Sequence, residues 1–200
     1  MTRLARLVLV LGLAAGALLP AAAGAAETEP AAARATAEAL VEGAHGALAD
    51  PGLDEAARND RLRAAVSEAF AFDIWERFLL GERGDGFSDA QRTAFRAALP
   101  GFLAHLYKSQ FGKGLEAKPE IRDTRAVRSD VIVSAGIPRA NGKTLPVDWR
   151  IREFAARGAL VIDVMVGGVS FLVLKREEFG AILDERGPEG LLAFMAENSI

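Results

Sequence analysis

Residues 145–171, LPVDWRIREFAARGALVIDVMVGGVSF, decide the fold of this chain. Val147, Trp149 and Ile151 point one way, and Asp148, Arg150 and Arg152 the other. That period of two is a strand with one buried face. Arg157-Gly158 turns the chain. Residues 159–166, ALVIDVMV, are nearly all apolar, which predicts a central strand covered on both faces. Gly167-Gly168 ends it. Upstream, Asn141-Gly142 is a hairpin signal and residues 131–137 form the strand before it. Residues 116–126 are charged and predict an edge strand whose charges discourage pairing with another sheet.

Helical patterns flank this meander. Residues 32–48 place Ala, Leu and Val at turn spacing until Asp50-Pro51-Gly52 stops them. Residues 54–70 carry Leu62, Val66 and Ala69 on one stripe. Residues 72–80, FDIWERFLL, make a short and very apolar helix, and GERGDG after it reads as a loop. Ser88-Asp89-Ala90-Gln91 opens a long helix with a capping box. Phe95, Leu99, Phe102 and Leu106 recur on one face of it, and Pro100 inside that pattern predicts a kink or break. Two helices, 175–185 and 188–197, close the chain around Arg186-Gly187-Pro188. The fold class is therefore α+β: an antiparallel sheet of about four strands with N-terminal and C-terminal helices packed on it.

The N-terminus reads as a secretory leader. Arg3 and Arg6 precede an apolar run over residues 7–19, and Ala23-Gly24-Ala25 fits a cleavage site before Ala26. The run is too short for a spanning helix. The expected division is a cleaved signal peptide, 1–25, and a single domain, 26–200, whose first residues, 26–36, include a short disordered lead. With no cysteine in the chain, no disulfide and no thiol-linked lipid anchor are available, and the expected compartment is the periplasm. Removing the leader takes the net charge from −3 to −5. An acidic chain of this kind is a poor nucleic-acid binder.

Catalytic signatures are missing. The two histidines, His45 and His105, have no metal-ligand company in sequence, and no nucleophile elbow, phosphate loop or dinucleotide fingerprint occurs. Asp163 is a carboxylate inside an apolar strand. It is a general base in a cavity, with His105 as a second candidate, or an outward-facing or salt-bridged group; the second reading is favoured. Asp148 is read in the same way. Residues 108–128 hold six basic residues (Lys108, Lys113, Lys118, Arg122, Arg125, Arg128) against Glu116, Glu120 and Asp123. They form a docking patch or a solvated edge.

Three stretches together resemble one family: FDIWERFLLG with SDAQRTAF and FLAHLY, then LPVDWRIR, then VIDVMV running into GGVSF and KREEFGAIL. The chain is similar, over about residues 35–197, to the MlaC-type proteins, also called toluene-tolerance auxiliary periplasmic proteins, and to their hopanoid-associated relatives. The resemblance implies a non-enzymatic, monomeric phospholipid shuttle that maintains outer-membrane lipid asymmetry, with no cofactor and no metal. Its partners would be an inner-membrane ABC-transporter complex and an outer-membrane lipoprotein complex, touched transiently. The alternatives are a carrier of hopanoid or another apolar lipid, or a small cavity enzyme. It also implies an NTF2-like cone enclosing an apolar cavity. Gly167 stands where relatives commonly have an acid. Candidate wall residues are Trp75, Phe78, Leu79, Phe95, Leu99, Phe102, Leu106 and Tyr107 from the helices. Val147, Trp149, Ile151, Ile162, Val164 and Val166 come from the sheet, with Val169 and Phe171 at the junction beyond it.

Overall fold

The computed structural model describes residues 28–111, 118–139 and 141–200. The leader, the first two residues of the expected domain, and Lys113 and Glu116 of the basic stretch lie outside the described residues.

Five strands form one antiparallel sheet in sequential order: β1 (Glu120–Val127), β2 (Asp130–Pro138), β3 (Thr144–Phe154), β4 (Gly158–Val166) and β5 (Val169–Ser170). β5 adds two residues to the expected four strands. The charged strand is an edge, as expected. The strand buried along nearly its whole length is β2, not β4. β4 lies near the far edge and is covered by β5 and by Phe70, which bridges to Val161.

The β3–β4 ladder carries a bulge. Arg150 pairs with Asp163 and Ile151 with Val161, leaving Ile162 as the extra residue. Every residue of β4 before the bulge therefore swaps faces relative to strict alternation. Val161 is fully buried in the main core, whereas Ile162 is buried outside it.

Five helices pack against the sheet or each other: α1 (Pro30–Ala49), α2 (Glu55–Ala69), α3 (Phe72–Leu80), α4 (Asp89–Phe111) and α5 (Phe171–Glu197). GERGDG is a 3-10 turn rather than a loop. Ser88 and Gln91 make the reciprocal cap, with Ser88 N–H donating to Gln91 Oε1 at 2.8 Å and Gln91 N–H to Ser88 Oγ at 3.3 Å. α4 continues through Pro100 without a break. α5 starts four residues earlier than expected because Ser170 caps it, accepting from Val173 N–H. It is one run kinked at Gly187, whose φ of 66° and ψ of −172° interrupt the helix. No disordered lead precedes α1 within the described residues: Thr28 donates to Ser129 O and accepts from Glu153 N–H, so it is pinned to the sheet.

α1 lies directly on the sheet. α4 packs chiefly on α2 and α5. Between α4 and α5 the core is aromatic: Phe87, Phe95, Phe179, Phe102 and Phe194 meet in sequence with ring centroids 5.4–6.1 Å apart. Because α4 is held by helices, space remains between it and the sheet.

Candidate functional site

That space is a cavity of about 310 Å³, near the lower end for small-molecule sites. α1 contributes Leu40, Val41 and Ala44, α2 Val66, and α4 Leu103, Leu106 and Tyr107. The sheet side is built by register. Ile137 faces Leu145, Val147 faces Val166 and Trp149 faces Val164, and all six line the cavity. Phe70, Trp75 and Phe171 form a connected aromatic group at one wall, Trp75 lying 5.2 Å from Phe70 and 6.2 Å from Phe171. Pro119 completes the apolar wall. Its polar members, among the described residues, are Tyr107, Arg139 and Lys175. No carboxylate or histidine lines it among those residues.

Eight of the sixteen candidate wall residues stand at this cavity: Trp75, Leu106, Tyr107, Val147, Trp149, Val164, Val166 and Phe171. The other eight stand elsewhere. Phe95, Leu99, Phe102 and Leu79 are buried in the core and do not line it. Their stripe is apolar because it packs on α5 and α3. Ile151 is fully buried further along β3. Ile162 is turned away by the bulge. Phe78 is 37% exposed under the Arg176 guanidinium, and Val169 is 50% exposed at the sheet's end. Leu145 and Ile137 belong to the same strand alternation as Val147. Arg139 and Lys175 had no signal in sequence.

Burial pushes the Tyr107 phenol up to about 12. Trp75 is 1% exposed, and its indole N–H has no hydrogen-bond partner among the described residues.

Asp163 serves the fold. Asp163 accepts from Ser170 Oγ at 2.7 Å, from its neighbour Val164 N–H at 2.8 Å and from Leu172 N–H at 3.3 Å. It braces the N-terminus of α5, where negative charge is favourable. It does not line the cavity, and neither does His105. The carboxylate of β2, Asp130, is 1% exposed and holds Arg150 and Arg152 on the opposite face of the sheet. Burial works to raise its pKa, but the hydrogen bonds and charges of Arg152 and Arg150 outweigh that and leave it below its ordinary value. Within the basic stretch, Lys108 bonds Glu55 and Asn59, Lys118 bonds Glu42, and Arg122 lies 3.8 Å from Glu120. These three are held in ion pairs, and Arg125 and Arg128 stand exposed on the edge strand and its turn.

Gly167 and Gly168 have φ of 61° and 84°. They form the two-residue turn between Val166 and Val169, which are paired, and that turn requires positive φ. Glycine at this position is thus a backbone requirement here.

Two larger depressions, of about 540 and 630 Å³, are open to solvent. The Lys118–Glu42 ion pair spans the first, and small residues of α1 and α2 line much of the second. Among the described residues no helix is long and apolar enough to cross a membrane, and no group of three or more metal-ligating side chains occurs.

A family model described as "MlaC protein" matches residues 36–197. No curated protein matches the chain. Among solved structures, a phospholipid-binding protein from Ralstonia solanacearum in complex with a phospholipid superposes with a TM-score of 0.69 at 18% identity. The match covers 83% of this chain and 96% of that one. At that identity the likeness is one of fold.

Proposed function

This chain belongs to the MlaC family, and from that premise we propose that it is a periplasmic carrier of phospholipid, with the acyl chains in the cavity between α4 and the sheet. The shuttle would run between an outer-membrane lipoprotein complex and an inner-membrane ABC-transporter complex. The observation that carries the reading is the wall of the cavity. Sixteen of its nineteen described residues are apolar.

The apolar composition of that wall suits the physical demand. Each buried methylene is worth about 0.8 kcal/mol, so two chains of about 16 carbons represent on the order of 25 kcal/mol. A lipid does not leave a bilayer at a useful rate unless a carrier replaces most of that burial. Unpaired polar groups in the wall would subtract from it. The same wall argues for binding rather than catalysis, since Asp163, the carboxylate a cavity enzyme would use, is committed to the cap of α5.

The test is native mass spectrometry of the protein, expressed as the full chain in a bacterium and recovered from the periplasmic fraction, with organic extraction of whatever is bound. The expected result is a stoichiometric adduct of phospholipid mass. A clean apo mass, with no uptake from added phospholipid vesicles, overturns the reading.

A further inference from the structure

The apolar wall is interrupted by two cations, Arg139 and Lys175. Ile137 pairs with Leu145 and Val147 with Val166, so the end of β2, the start of β3 and the end of β4 meet at one margin of the sheet. Arg139 continues β2 past that margin. Lys175 stands one turn into α5, the helix that follows β5, and lines the same cavity.

Lys175 is unusual in its surroundings. Lysines on apolar surface bury the stem and keep the ammonium in water. This side chain is 16% exposed, and its ammonium lies 5.5 Å from the Phe171 ring centroid and 5.7 Å from that of Phe102. Its hydrogen bond among the described residues goes to Glu178, three residues along α5 and 40% exposed. An ammonium has three donors, and an i,i+3 pair at a surface is weak. A desolvated cation beside an apolar cavity is thus short of anionic oxygen.

We infer that Arg139 and Lys175 form a headgroup subsite: they hold the phosphodiester of a lipid whose acyl chains fill the apolar part, and thereby select phosphate-bearing lipids over neutral lipids with the same chains. The inference rests on the carrier reading above. A phosphodiester offers two anionic oxygens, which suit the guanidinium fork and the ammonium together. Glu178 is the partner that Lys175 exchanges for phosphate. No carboxylate lines the cavity among the described residues to repel the headgroup.

The experiment is a competition. The full-chain protein is incubated with vesicles holding equal amounts of dioleoylphosphatidylglycerol and dioleoylglycerol, repurified, and its lipid extracted and quantified by mass spectrometry. Charge-assisted hydrogen bonds of this kind are worth about tenfold or more in affinity. The wild type is therefore expected to enrich the phospholipid at least about tenfold. Arg139→Gln with Lys175→Gln is expected to bring the ratio towards one, while Lys175→Arg, which keeps the charge, retains the enrichment. Equal uptake of both lipids by the wild type, or undiminished enrichment in the double variant, overturns the subsite while leaving the carrier standing. Recovery of neither lipid by the wild type overturns the carrier and the subsite together.

Discussion

Ile151 on β3 stands opposite Val161 on β4, although the neighbouring residue Arg150 stands opposite Asp163. One residue of β3 therefore spans two of β4, and Ile162 is left out of the ladder. The bulge decides which β4 side chains reach the cavity: Val164 and Val166 do, and Ile162 does not. Val164→Trp is expected to fill the space and abolish lipid loading, read by extraction and mass spectrometry. Ile162→Thr is expected to load normally. Loss of loading in the Ile162 variant, with an intact fold by circular dichroism, would contradict the bulged register.

The chain has two tryptophans, Trp75 and Trp149, and both line the cavity. Intrinsic fluorescence therefore reports on the cavity alone. Phospholipid brominated on the acyl chains is expected to quench it, and Trp75→Phe or Trp149→Phe to leave part of the quenching. Unquenched emission from a lipid-loaded protein would place the chains elsewhere.

Tyr107 is the chain's sole tyrosine, so an absorbance titration at alkaline pH follows one phenol. Its midpoint is expected at about 12, above the ordinary value of about 10. Raising the folded pKa means the native state holds the proton more tightly. Stability from this group is therefore full below pH about 10 and lost as pH rises towards about 12. A native midpoint at the ordinary value would show that the phenol reaches water.

Asp130 is fully buried against two half-exposed arginines. Asp130→Ala is expected to cost about 2 kcal/mol in urea unfolding, because hydrogen bonds to charged groups are lost while the arginines can turn to solvent. Its folded pKa is lowered, so its contribution is present above the ordinary aspartate pKa and falls away as pH drops below it. The gap between wild type and variant should therefore narrow in acid. A gap that stays constant down to pH about 2 would mean the arginines do not hold this carboxylate in its charged form.

Gly167 sits at φ 61°. Valine there must adopt a left-handed backbone, at about 1–2 kcal/mol, whereas Asp tolerates it better. Gly167→Val should be clearly less stable in urea than Gly167→Asp. Equal stability would show that the left-handed backbone at this position does not discriminate between the two side chains.

Local patterns in the sequence were legible where the cause was local. Ser88 and Gln91 spell out their own cap, Gly187-Pro188 marks the kink of α5, and Val147-Asp148-Trp149-Arg150 shows its two faces. The candidate site was half legible. Phe95, Leu99 and Phe102 form as good an apolar stripe as Leu106 and Tyr107, and nothing in a stripe says whether it meets a neighbouring helix or an empty space.

The sequence by itself determined the order of helices and strands, the turns that require glycine, and the side of each regular strand that is apolar, because these follow from φ and ψ preference and from periods of two and 3.6. It also carried enough of its family's pattern for membership to be read from it. Tertiary structure alone decided that Ile162 drops out of register, that α4 rests on α2 and α5 and leaves a cavity over the sheet, and that Arg139 and Lys175 both line it. The reason is physical. A bulge and a cavity are properties of how elements meet, and the two cations, 36 positions apart in the chain, become neighbours of one space only after the sheet and α5 have packed around it.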